Sequence, residues 1–266
     1  MITIAGLSKR KTIGLFQIIS IMLITIAVLL GFYFVLRAKN VAGELLLVSV
    51  VGFATLWCAA VGPSVTTLGE TKMEKFFRAG TVSDSTGIAL VIIWAIFPES
   101  ASGMSPSFWS IIKVYLICTS LTMFAASVSC IARTSSGTIF SALICWLIFF
   151  VALASPFWIV SQFPETTTAE RQQAIDIAAV VNPAWASLES VSDYTQKAWH
   201  YGGGKLYEQT SIGESVFPGC YSWYMTLAFY LILALIFWFI AYLKSKIYPP
   251  VKQNLTENKP ELESPN

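Results

Sequence analysis

Long apolar runs, joined by short polar segments, fill most of this chain and constrain it more than any other feature. Hydrocarbon offers no water to a free backbone N–H or C=O, so an apolar run of about 20 residues is stable there as an α-helix. The first run, Gly14 to Leu36, follows Lys9, Arg10 and Lys11. It is longer than a signal-peptide core and no small-residue cleavage site follows it, so it is expected to remain as a span after a cytoplasmic amphipathic N-terminus over 1–13. Comparable runs cover 45–61, 107–132, 138–159 and 221–243. A shorter run near 84–98 is either a sixth span, lengthened by Ser83-Asp84-Ser85, or a re-entrant helix. Counted as a span, it gives an all-α polytopic membrane protein with six crossings, one membrane domain over 14–247 and a disordered, proline-rich tail over 248–266.

Composition agrees. With 55% hydrophobic and 12% charged residues and a mean hydropathy of +0.66, the chain lacks the polar surface a soluble globule needs. A net charge of +2, with basic residues in short clusters beside the apolar runs, gives no basic stripe for nucleic acid. The cysteines Cys58, Cys118, Cys130, Cys145 and Cys220 show no CxxC spacing, and four fall in apolar runs where they pack as small hydrophobes. His200 is the only histidine, which argues against a haem or a multi-histidine metal centre. No catalytic residue, cofactor or metal ligand is expected.

Basic residues near span ends are retained in the cytoplasm. With the N-terminus inside, that face takes eleven of the seventeen: Lys9, Arg10, Lys11, Lys72, Lys75, Arg78, Arg133, Lys244, Lys246, Lys252 and Lys259. The other face takes Arg37, Lys39, Arg171, Lys197 and Lys205, with Lys113 able to snorkel from its span. Both termini are then cytoplasmic, the acidic loop 160–220 is external with a helical pattern over 168–181, and the Asn254 glycosylation triplet stays unmodified.

No span drawn in this way carries a carboxylate near its middle, which disfavours proton or sodium coupling. HExxH, GxSxG and a membrane-depth aspartate pair are also missing from the sequence, so an intramembrane enzyme ranks low. Buried hydroxyls such as Ser120, Thr122, Ser127 and Ser141 are expected to bond their own helix carbonyls. Between the second and third runs, ETKMEKFFR sets Met73, Phe76 and Phe77 at i, i+3 and i+4, with Glu70, Lys72, Glu74 and Arg78 facing elsewhere. The segment reads as an amphipathic helix along the membrane face. It either docks a cytoplasmic partner through Glu70, Lys72, Met73, Glu74, Lys75, Phe76, Phe77 and Arg78, or simply lies in lipid.

The order of elements resembles the membrane subunit of the type-2 ATP-binding-cassette (ABC) exporter family across nearly the whole chain: a basic amphipathic N-terminus, six spans, a polar inner segment after span two and a long outer excursion before the last span. FAASVSCIARTSSGTIFSALICWLIFF is similar to that family's span four, tight inner turn and span five. AVVNPAWASLES, with Asn182 and Pro183, resembles the family's Asn-Pro or Ser-Pro element in the outer excursion ahead of the last span. GETKMEKFFRAGT offers Glu74, Arg78, Gly80 and Thr81 at a spacing different from the family's. The resemblance implies a permease in the bacterial inner membrane, paired as a homodimer or with a related permease subunit. It would move substrate by the ATP hydrolysis of a separate ABC ATPase subunit, since this chain has no P-loop. The alternative from another class is a membrane scaffold or assembly factor whose external loop binds protein.

Overall fold

The computed structural model describes residues 2–41, 43–96, 107–132, 134–158, 180–191 and 223–247, with positions 170, 173, 177 and 178. Arg133, His200, Cys220, most of 160–220, Asn254 and the tail from 248 lie outside the described residues, as do the side chains of 2–13. The described residues form helices α1 (Ile2–Ala38), α2 (Gly43–Thr66), α3 (Lys72–Ile96), α4 (Phe108–Ser129), α5 (Ser135–Trp158), α6 (Pro183–Glu189) and α7 (Trp223–Ile247). All but α6 are long and apolar enough to cross a membrane, which gives six candidate spans. The backbone of α1 is helical from Ile2, so the segment read as a separate N-terminal element continues into the first span.

The third span differs from the reading of the sequence. It does not begin near residue 84 and no separate interfacial helix precedes it: α3 is one helix of 25 residues, Lys72–Ile96. At a rise of about 1.5 Å per residue it is roughly 37 Å long, ample for a crossing. The reason is a reciprocal cap at its start. Thr71 Oγ1 accepts from the Glu74 N–H at 3.1 Å, while Glu74 Oε2 accepts from the Glu70 and Thr71 N–H groups at 2.8 and 3.3 Å. These bonds occupy donors that a helix start otherwise leaves free.

Helix α4 is the central post, packed against α2, α3, α5, α6 and α7, while α1 lies outside against α2 and α3. Small residues make this possible. Ala125, Ala126, Ser127 and Ser129 are all buried on α4, and a Cβ at Gly62 on α2 would sit 3.2 Å from Thr122 Cγ2. One apolar core joins α1, α2, α3 and the N-terminal half of α4 through Leu29, Tyr33, Val50, Leu90 and Val114. A second gathers α4, α5 and α7 around Phe124, whose ring stands 5.8 Å from Phe149, 5.9 Å from Tyr230 and 5.7 Å from Phe237. Indole donors add links between helices, from Trp57 to Thr25 Oγ1 and from Trp146 to the Ala60 carbonyl. The buried hydroxyls behave as their chemistry dictates: Ser120, Thr122, Ser127 and Ser141 each donate to a carbonyl three or four residues back.

One end of the bundle collects the start of α3 and the ends of α4 and α7, and is rich in Lys and Arg. There Lys72 Nζ donates to the Ala241 carbonyl and Lys244 Nζ to the Ile131 carbonyl, both at 3.2 Å. At the far end α1 turns into α2 through Asn40, whose φ of 54° is a left-handed conformation that asparagine tolerates.

Candidate functional site

Eight residues of the α2–α3 corner were expected to act together at the basic end, and the structure divides them. Glu70, Lys72, Met73, Glu74 and Phe77 are exposed, and Phe76 is half-buried. Lys75 and Arg78 are buried, the reverse of the amphipathic face read from the sequence. The inversion has an electrostatic cause. The last carbonyls of a helix carry partial negative charge and no intrahelical donor, and those of α4 end beside α3. Lys75 Nζ donates to the Ser129 carbonyl at 2.7 Å, so its charge is placed against the α4 terminus rather than in water. Arg78, one turn further, is covered by the same packing, and its Nε and Nη1 have no partner among the described residues. The corner is thus tied down by its cations while Met73 and Phe77 project outward.

The Asn182–Pro183 element is not at the surface. Asn182 caps α6: its Oδ1 accepts from the Trp185 N–H at 3.1 Å and its Nδ2 donates to the Leu153 carbonyl at 3.3 Å, with Pro183 at the first helical position. Helix α6 dips between the spans. Thr55 Oγ1, at the middle of α2, donates to Ser187 Oγ at 2.7 Å, and Tyr230 OH on α7 donates to the Val181 carbonyl at 2.8 Å. Residues 180–191 therefore enter the bundle, although the whole of 160–220 was expected outside it. A short turn can do so only because its polar groups find partners there. Glu189 closes the element. Burial pushes its carboxyl up to about 7, opposed by the charge of Lys113, and its Oε2 has no partner among the described residues.

The full length of α3 moves to mid-span a group that the shorter reading had placed at the edge. Asp84 is the middle residue of Lys72–Ile96 and it is exposed on the flank of the bundle. The expectation that no span holds a mid-depth carboxylate is therefore corrected. Tyr115 OH on α4 donates to Asp84 Oδ1 at 2.8 Å. Its ring lies over Gly87, where an added Cβ would come within 2.6 Å of Cδ2, so only glycine admits the ring at this crossing. Below the pair, Ile88, Val91 and Ile92 on α3 and Ile111 and Ile112 on α4 line a groove of about 420 Å³. The sequence held a signal for this in the small residues of VSDSTG around the acid, a pattern that lets another helix approach.

No protein-family model, curated protein or solved structure matches the chain. Among the described residues no group of three His, Cys, Asp or Glu side chains could hold a metal ion. Cys58, Cys118, Cys130 and Cys145 are free and buried.

Proposed function

We propose that this chain is the permease subunit of a type-2 ABC exporter, working with a separate ATP-hydrolysing subunit and a second permease protomer, identical or related. The observation that supports the reading best is the α2–α3 corner. It presents two large apolar side chains, Met73 and Phe77, at the basic end, and it continues without a break into a full-length span. Exposed anchors of this kind are what a partner's groove engages. A displacement at the corner would travel along α3 as a rigid rod, and the Lys75 and Lys72 bonds to the ends of α4 and α7 would carry those helices with it. In this reading the basic end and both termini face the cytoplasm of a bacterial inner membrane, as the distribution of Lys and Arg favours.

Purification of the full chain from its native membranes in mild detergent, with identification of what comes with it, is the direct test. The expected companion is a P-loop ATPase in equal amount with the permease. Recovery of another protein held by the 160–220 segment, with no nucleotide-binding chain, would overturn the reading in favour of a membrane scaffold.

A further inference from the structure

We propose that the groove between α3 and α4 is a binding site for a cationic amphiphile, an apolar chain or ring bearing a protonated amine, which enters sideways from the bilayer and pairs with Asp84. Three observations meet there. First, Asp84, Ile88, Val91 and Ile92 fall at i, i+4, i+7 and i+8, one exposed stripe of a helix that is long enough to span. A carboxylate on that stripe at half depth is costly in lipid, and such groups mark ligand or ion paths. Second, among the described residues Asp84 has Tyr115 as its hydrogen-bond partner and no lysine or arginine pairs with it. The phenol satisfies one acceptor position and gives no positive charge. Third, the groove of about 420 Å³ is walled by aliphatic side chains except at the Asp84–Tyr115 end, the division of surfaces that an amphiphile matches.

The complement of that surface is an N–H donor with positive charge at one end and hydrocarbon beyond it. An ammonium donates to the free positions of the carboxylate in a charge-assisted bond. An anionic or neutral headgroup would leave the carboxylate opposed or unpaired. The Tyr115 bond holds the carboxylate in place, and Gly87 admits the ring that makes that bond. The site is separate from the α2–α3 corner, so loss of the ATPase partner in the purification above would leave amphiphile binding unchanged.

The test uses the full chain in phosphatidylcholine nanodiscs and a dodecylamine carrying a photoreactive diazirine at mid-chain, with the matching dodecanol as the neutral probe. Saturable labelling by the amine is expected on α3 and α4 between residues 88 and 112. Asp84→Asn should weaken labelling by about tenfold or more, the size of one charge-assisted hydrogen bond. The alcohol should label the wild-type chain no better than the amine labels that variant. Ile92→Trp fills the groove and leaves the carboxylate alone, so it should abolish labelling with an unchanged elution profile and melting temperature. Should Asp84→Asn fail to fold, Ile92→Trp and the amine–alcohol comparison on the native chain still decide. Equal labelling by amine and alcohol would overturn the proposal. So would labelling insensitive to Asp84→Asn together with disulfide cross-linking of Ile88→Cys between copies, which would make the groove a seam between protomers.

Discussion

Lys75 and Glu189 are both ionisable and both withdrawn from water, yet their surroundings treat them oppositely. Lys75 is buried against the Ser129 carbonyl, which also accepts from the Ala132 N–H at 3.3 Å, so Lys75→Ala removes the shorter, charge-assisted bond to that carbonyl. A loss of about 1.5–3 kcal/mol is expected, read from thermal unfolding in detergent, with Lys75→Arg less damaging than Lys75→Ala. Glu189 Oε2 has no donor among the described residues, and the carboxyl, raised to about 7 by burial, holds its proton in the folded chain at a pH where an unfolded chain has released it. The sign follows: its contribution to stability is full below the ordinary carboxyl range and is lost as pH rises through about 7. Lys113, the cation that faces it, limits the effect. A series of melting curves from pH 5 to 8 should show stability falling with pH in the wild-type chain and a flatter profile in Glu189→Gln. An equal slope in both would remove Glu189 as its source.

Helix starts, more than helix interiors, separate what the sequence showed from what it concealed. The cap at Thr71 and Glu74 begins α3 twelve residues before the point where its hydropathy rises. Thr71→Ala should therefore cost about 1 kcal/mol, visible as a lower melting temperature, and Glu74→Gln should retain most of the cap. The long apolar helices α1, α2, α4, α5 and α7 were legible, because about 20 apolar residues leave the backbone no other satisfied state in lipid. Helix α3 was legible only in its C-terminal half. The charges of Lys72, Lys75 and Arg78 lowered its hydropathy, and only the neighbouring carbonyls of α4 and α7 show why they can lie there. Asp84 was read as the edge of a span and not as its middle for the same reason, since a span begun too late places it at a boundary. Asn182–Pro183 was visible as a motif, and it is also a local helix start. That α6 enters the bundle depends on Thr55 and Tyr230, distant in sequence, and no local pattern shows it.

Six spans that begin and end at the same face make both termini share a side, and the proposed orientation puts that side in the cytoplasm. Asn40, exposed, and Ser245, half-buried, lie at opposite ends of the bundle and suit labelling by a membrane-impermeant maleimide. In intact cells Asn40→Cys should react from outside, and Ser245→Cys only after the membrane is opened. The reverse pattern would invert the topology and move the α2–α3 corner away from any cytoplasmic ATPase. The corner itself carries the central claim, that force enters this molecule from a nucleotide-hydrolysing partner through Met73 and Phe77. Titration of the co-purified ATPase onto the nanodisc-embedded chain measures it most directly, with Met73→Ala and Phe77→Ala combined in one variant. Two apolar anchors at about 2 kcal/mol each give an expected loss of affinity of roughly a thousandfold, with the melting temperature unchanged because both side chains are exposed. An affinity for the ATPase equal to that of the wild-type chain, in a variant that folds as well, would contradict the account.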